Sequence, residues 1–113
     1  MDEAVREYLA ALPPDRRSML DRVARLVTEA HPDATVAMAY RMPTFVLGSR
    51  RLHVGAWRHG LSFYGWERGR DAGFADRHPD LVTSTGTIRL GPAASAEVDD
   101  DELREFLRSA LQP

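Results

Sequence analysis

The spacing of apolar residues changes its period near residue 33, and this change restricts the fold more than any other feature of the chain. Before that point, apolar residues recur at intervals of three and four residues, at Met19, Val23, Leu26, Val27 and Ala30. This spacing predicts an amphipathic helix that begins at Pro14 and ends near His31. After residue 34, apolar and polar residues alternate, which is the pattern of a half-buried β-strand. Helices followed by short strands are typical of an α+β domain.

Shorter segments complete the predicted order of elements. A first helix is expected where Val5, Leu9 and Leu12 share one face. Strands are expected around residues 35–40, 45–47, 51–57, 61–66 and 87–90. The gaps between the first four strands are the size of hairpin turns, which favours an antiparallel meander. Residues 67–82 are expected to be irregular apart from one helical turn, and residues 91–98 are expected to be a linker before a C-terminal helix.

These elements predict a single domain over residues 1–113. Its sheet is expected to be an antiparallel β-meander, with the N-terminal helices and the C-terminal helix packed mainly on one face. At the start of the last helix, Asp99 and Glu102 have nearly the spacing of a capping box. The core is expected to contain large apolar residues from both helices and strands: Leu26, Val27, Phe45, Val54, Phe63, Ile88, Phe106 and Leu107.

Composition excludes several kinds of chemistry. The 113 residues include no cysteine, which rules out disulfides, thiolate nucleophiles and cysteine-based metal sites. All 15 basic residues are arginine, so no lysine can form a Schiff base or act as a general base.

The formal net charge is −2 and the tail is acidic, which argues against a nucleic-acid partner. No apolar run is long enough for a membrane span. The acidic start at Asp2 and Glu3 is unlike a signal peptide, so a cytoplasmic location is expected.

The alternation in the third and fourth strands also predicts an aromatic sheet face. The residues opposite the aliphatic set are Arg51, His53, Trp57, Tyr64 and Trp66. Two tryptophans and a tyrosine on the face away from the helices are more aromatic surface than a protein usually exposes to solvent, so we expect another group to pack over them. The sequence leaves three alternatives for what packs on this face: a ligand in a concave pocket, a second copy of the chain in a homodimer, or the 67–82 loop with Phe74 as its anchor.

Four segments, in order along the chain, together resemble one family. They are Tyr8–Arg16 with its Leu-Pro-Pro-acid step, Tyr40-Arg41-Met42-Pro43-Thr44-Phe45, Trp57–Tyr64, and Ser84-Thr85-Gly86-Thr87-Ile88-Arg89-Leu90. This pattern resembles the YdhG-like domain of unknown function, some members of which are described as frataxin-like iron chaperones. The resemblance covers residues 8–90 and implies a compact α+β fold with an antiparallel sheet. It implies little about chemistry.

Two positions depart from the pattern of the family. The family signature has a glycine where this chain has Arg41, and a glycine adopts a positive φ far more easily than arginine does. The family's lysine before the Gly-Thr step is replaced by Thr85. If family members bind an anion through that lysine, Arg41 is the residue that would have to replace it here.

Metal ligands have only a weak signal in the sequence. The four histidines are scattered, and no pair has the spacing of a metal-binding helix. The acidic run Asp99, Asp100, Asp101 and Glu102 has the oxygen donors that a hard cation accepts. Acids at the start of a helix are, however, also favoured by the cap and by the helix dipole. We therefore expect no resident metal or cofactor, with iron bound by this run as the alternative.

The sequence favours a small cytoplasmic binding or accessory domain with no catalytic residues, whose partner is a small molecule or a protein rather than a nucleic acid or a membrane. The ligand is expected where the motifs and the open face coincide, at Tyr40, Arg41, Met42, Trp57, His59, Tyr64 and Trp66. Two alternatives stay open. One is an iron-binding chaperone of frataxin-like type. The other is an enzyme that uses His59 as its acid–base group and Arg41 as an anion clamp.

Overall fold

The computed structural model describes residues 2–84 and 86–113. Within these ranges, α-helices lie at Glu3–Ala10 (α1), Pro14–Ala30 (α2), Phe74–Arg77 (α3), Pro92–Glu97 (α4) and Asp100–Leu111 (α5). Strands lie at Thr35–Ala39 (β1), Met42–Leu47 (β2), Arg50–Trp57 (β3), Gly60–Tyr64 (β4), Val82–Ser84 (β5) and Thr87–Leu90 (β6). A short 3-10 helix spans Pro79–Leu81. Thr85, at the position where the YdhG-like pattern has a lysine, lies outside the described residues.

The strands form one antiparallel sheet in the order β1-β2-β3-β4-β6-β5. The first four are the predicted meander, joined by two-residue turns at Tyr40-Arg41, Gly48-Ser49 and Arg58-His59. β6 pairs with β4, and β5 pairs with the outer edge of β6. The predicted α+β class is confirmed, although the sequence does not predict β5, which begins at Val82, the last residue of the segment expected to be irregular.

The main helices begin where a side chain accepts a hydrogen bond from a first-turn amide, or where a proline has no amide hydrogen that needs a partner. Asp2 caps α1 by accepting a hydrogen bond from the Ala4 amide at 2.8 Å. Pro14 occupies the first turn of α2, where its missing N–H costs nothing. Asp99 caps α5 by accepting from the Glu102 amide at 2.8 Å, which confirms the predicted cap. Among the described residues, no helix is both long enough and apolar enough to cross a membrane.

The core lies between the helices and one face of the sheet. α2 and α5 pack against each other, and both contact the central strands. Phe106 of α5 lies at the centre, with its ring 5.7 Å from that of Phe63 and 4.9 Å from that of Phe74. All eight residues predicted for the core are buried. The predicted packing of helices on one face is thus confirmed.

The segment predicted to be a linker contains a helix instead. Residues 92–97 form α4, and Val98 after it is buried at 2% exposure. The linker prediction was wrong because it treated small residues as signs of irregular structure. Alanine has the highest helix propensity, and Pro92 suits the first turn of a helix.

Trp66 lies on the helix side of the sheet, contrary to the prediction, and so does Phe74, the anchor named for one of the three open alternatives. Trp66 is only 6% exposed, and its ring is 6.5 Å from Phe106. The alternation that was extended to Trp66 ends at Tyr64, because Gly65 has a φ of +90° and turns the chain toward the core. Phe74 also packs on Phe106, so it anchors its loop in the core and not over the aromatic face.

Candidate functional site

The face of the sheet without helices, called the outer face here, is rich in arginine and aromatic residues. It carries the strand residues that alternate with the buried aliphatic ones, including Met42, Thr44, Arg51, His53, Gly55, Trp57, Ser62, Tyr64 and Arg89. Residues 34–66 contain four arginines, at positions 41, 50, 51 and 58, and no aspartate or glutamate. In the described part of the chain, Arg41, Arg51, Arg58 and Arg89 have no carboxylate at ion-pair distance. The outer face therefore attracts anions, despite the net charge of −2.

The turn between β1 and β2 places two long side chains at one end of this face. Tyr40 and Arg41 have φ values of +52° and +63°, and such a turn usually takes Asn-Gly. The position where the family has glycine therefore does require a positive φ, which Arg41 adopts. Each non-glycine residue in this region costs about 1–2 kcal/mol. A turn built at this cost points to a role for the side chains that it carries.

A cavity of about 220 Å³ opens on the outer face beside this turn. Its wall consists of Tyr8, Tyr40, Arg41, Met42, Gly55, Ala56, Trp57, Ser62 and Tyr64. Tyr8 reaches it from α1, where its hydroxyl accepts a hydrogen bond from the Ala56 amide at 2.9 Å. The cavity thus joins the helix α1, the β1–β2 turn and the strands β2, β3 and β4.

Two polar groups at the cavity lack hydrogen-bond partners among the described residues. Ser62 is 2% exposed and its Oγ is unpartnered, and Trp57 Nε1 is buried and unpartnered as well. Ser62 lies opposite Gly55 in the ladder between β3 and β4. A Cβ on Gly55 would lie 3.2 Å from Met42 Sδ, so the glycine keeps room at the base of the cavity. Leaving a buried donor unpaired costs about 1–3 kcal/mol.

Trp57 is contacted from two directions. The Arg89 guanidinium carbon lies 4.7 Å from the centroid of its ring, within cation–π range. The His59 ring meets it edge-on at 5.3 Å between centroids. These contacts hold the indole in the cavity wall, and they add a positive charge next to it.

His53 occupies the same face below Tyr40. Its Nδ1 lies 2.7 Å from Thr44 Oγ1, and its ring meets Tyr40 edge-on at 5.1 Å between centroids. Burial lowers the pKa of His53 below its ordinary value, and the nearby Arg51 charge lowers it further. The folded protein therefore favours the neutral imidazole.

We expect His53 to make the folded state less stable in mild acid. Because its folded pKa lies below the unfolded value of about 6.5, the unfolded chain binds more protons, and stability falls as the pH drops from about 6.5 toward the folded pKa. Urea unfolding between pH 7.5 and 5 checks this, with His53→Gln as the comparison. The wild-type curve is expected to fall more steeply than that of the variant. Parallel curves would contradict the lowered pKa.

The structure brings together five of the seven predicted ligand-binding residues, namely Tyr40, Arg41, Met42, Trp57 and Tyr64. His59 contacts Trp57 but does not line the cavity, and Trp66 lies in the core on the other side of the sheet. Residues that sequence reasoning missed are Tyr8, Gly55, Ser62 and Arg89. Ser62 has the same strand parity as Tyr64, so alternation could have found it, whereas nothing local indicates Tyr8.

Three of the four acids in the run at the start of α5 pair with arginines, and the fourth, Asp99, caps the helix. Asp100 accepts hydrogen bonds from Arg22 at 2.7 Å and Arg25 at 3.1 Å, and these lower the pKa of Asp100. Asp101 pairs with Arg104 at 2.7 Å, and Glu102 pairs with Arg77 at 2.8 Å. Within residues 2–84 and 86–113, no three histidine, aspartate or glutamate side chains converge as metal ligands would.

No family model, no curated protein and no solved structure matches this chain. The resemblance to YdhG-like domains therefore stays a prediction that rests on the four sequence motifs.

Proposed function

We propose that this protein is a small cytoplasmic domain that binds a small molecule in the outer-face cavity, without catalytic activity of its own. The observation that carries the proposal is the pair of unpartnered polar groups, Ser62 Oγ and Trp57 Nε1, beside a cavity of about 220 Å³. A ligand that accepts from these groups recovers the free energy lost by burying them. Ser62 and Trp57 line the cavity while these two atoms are themselves buried, so the proposal requires a neighbouring side chain to move when the ligand binds.

Binding is favoured over catalysis by the make-up of the cavity wall. The lining residues include no carboxylate and no imidazole, the groups that most often act as general bases at neutral pH. His59, the acid–base group of the enzyme alternative, lies in the β3–β4 turn outside this lining. Arg41 does line the cavity, where it serves a bound anion without any reaction.

A ligand also explains the open face better than a symmetric dimer does. A twofold contact through the outer face would bring Arg41, Arg51, Arg58 and Arg89 of one copy close to those of the other. In the described part of the chain none of them has a carboxylate partner. Like charges set against each other disfavour association.

Nuclear magnetic resonance of the two indole N–H groups tests the proposal. Probes are small carboxylates, amides, sugars and nucleosides, each titrated to 10 mM (a concentration chosen to detect binding with Kd on the order of 1 mM). A compound bound in the cavity is expected to move the Trp57 indole signal and leave that of Trp66, which lies in the core. Gly55→Ala is the control, because its Cβ crowds the base of the cavity at an ordinary φ. The proposal fails if no probe moves the Trp57 signal, or if Gly55→Ala responds as the wild type does.

Removing the unpartnered hydroxyl is expected to stabilise the protein. Ser62→Ala should raise the free energy of unfolding by about 1 kcal/mol, because the buried oxygen has no partner in the folded state. Urea unfolding measures this change. The same variant should bind more weakly any probe that moves the Trp57 signal. A loss of stability would mean that the hydroxyl is satisfied in solution, and that it is not held for a ligand.

A further inference from the structure

We infer that the ligand of the outer-face cavity is a compact carboxylate on a flat apolar body, such as an aromatic or heteroaromatic acid. This inference rests on the proposed function and names the class of ligand. It follows from three properties of the cavity: the donors in its wall, the charge around it, and the shape of its apolar surface.

The polar groups of the wall are suited to an acceptor. Arg41 and the Trp57 indole can only donate hydrogen bonds, and the Ser62 hydroxyl has a proton to give. The Tyr8 hydroxyl already accepts from the Ala56 amide at 2.9 Å, which leaves its own proton available to donate. A carboxylate has only acceptor sites, and it bonds an arginine with two parallel hydrogen bonds. The Ser62 and tyrosine hydroxyls of the wall can also accept, so the groups that favour an acceptor ligand are the two that can only donate, Arg41 and the Trp57 indole.

The charge around the cavity selects an anion over a neutral acceptor. Arg41 lies in the wall and Arg89 lies over the Trp57 ring at 4.7 Å. The absence of acids from residues 34–66 means that no nearby carboxylate on these strands neutralises them. Anions are therefore attracted from solution, and this attraction weakens with salt.

The apolar part of the wall is aromatic, and its size limits the ligand. Tyr8, Tyr40, Trp57 and Tyr64 contribute ring surfaces, and Met42 contributes a thioether. Such surfaces favour a planar group, which stacks or packs edge-on against them. The volume of about 220 Å³ is below the range of drug-sized pockets. The cavity therefore suits one ring with a carboxylate.

The turn supports a role for the arginine charge in particular. Glycine at position 41 would remove the backbone cost of its φ of +63°. Arginine at this position keeps that backbone cost, and it places a charged residue in the cavity wall. The charge of Arg41 is thus the feature whose removal should affect the ligand most directly.

Matched probes and variants test the inference. The probes are benzoate, its neutral isostere benzamide, and a ten-nucleotide single-stranded DNA, each followed by the Trp57 indole N–H signal. We expect benzoate to bind at least tenfold more tightly than benzamide to the wild type. Arg41→Gln, which keeps a non-glycine residue in the turn, should weaken benzoate about tenfold and leave benzamide unchanged. Arg68→Gln is the control, because this exposed arginine pairs with Asp76 and lies outside the cavity wall and the strands of the sheet, and its loss should change neither affinity.

The outcomes separate this inference from the proposed function. If benzamide binds as tightly as benzoate, or if Arg41→Gln has no effect on benzoate, the cavity binds ligands but not through their charge, and only the inference is overturned. If neither probe moves the Trp57 signal and no member of the wider panel does, the proposed function fails as well. If the oligonucleotide binds and benzoate does not, the outer face is a single-strand-binding surface and the inference is wrong.

Discussion

Phe106→Ala is expected to lower the free energy of unfolding by about 3–5 kcal/mol. The Phe106 side chain is fully buried, and its ring lies within 6.5 Å of the rings of Phe63, Phe74 and Trp66. Truncation removes the contact that joins α5 to the sheet and to the segment containing Phe74, and it leaves a cavity between them. Urea unfolding followed by circular dichroism gives the change in free energy.

A half-buried residue of the same helix provides the control. Ser109→Ala in α5 should change the free energy of unfolding by no more than about 0.5 kcal/mol. The fluorescence of Trp66 should also shift toward that of exposed indole in Phe106→Ala, because the phenylalanine ring covers it. A loss below about 1 kcal/mol would mean that α5 does not dock against the sheet as described.

Gly60→Ala is expected to cost at least about 3 kcal/mol, at the upper end of overpacking effects. Gly60 begins β4 and lies against β6, where a Cβ would overlap the carbonyl oxygen of Leu90 and lie 2.9 Å from Gly91 Cα. These neighbours are backbone atoms, so they cannot move aside as a flexible side chain can. The two strands must separate, which breaks the ladder that joins β6 and β5 to the rest of the sheet. Thermal and urea unfolding measure the effect.

The neighbouring glycine provides a matched control. Gly91→Ser also adds a Cβ, but this atom meets nothing within 4 Å, and serine suits the position before α4. We expect its free energy of unfolding to stay within about 0.5 kcal/mol of the wild type. If Gly60→Ala is equally mild, the close approach of β4 and β6 is not present in solution.

The two tryptophans show how far alternation can be trusted. Trp57 lies on the outer face as predicted, because β3 runs without interruption from Leu52 to Trp57 and each residue changes side. The same reasoning failed at Trp66, because the strand ends at Tyr64 and Gly65 has a φ of +90°. Parity holds only along continuous extended backbone. A glycine that follows a strand therefore marks the point beyond which alternation no longer predicts the face on which a residue lies.

The positive charge of the outer face can be read from the sequence, but the net charge of the whole chain does not reveal it. A net charge of −2 argues against a nucleic-acid partner, but it does not show how charge is distributed over the surface. The acid-free stretch from residue 34 to residue 66 contains four arginines, and the fold places this stretch in β1 to β4 and their turns. Net charge averages over surfaces that do not face the same ligand. Counting charges segment by segment would have identified the basic face.

Local patterns in the sequence determined the main helices, the four-strand meander, the core and the outward direction of Trp57, since these depend on residues close together in the chain. The cavity depended on tertiary structure. It needs Tyr8 from α1 to meet Ala56 at 2.9 Å, and Arg41 to take a left-handed turn beside β3. It also needs Ser62 to lie opposite Gly55 without a partner. These relations join residues far apart in sequence, and their distances are set by how the helices pack on the sheet, which no local periodicity contains.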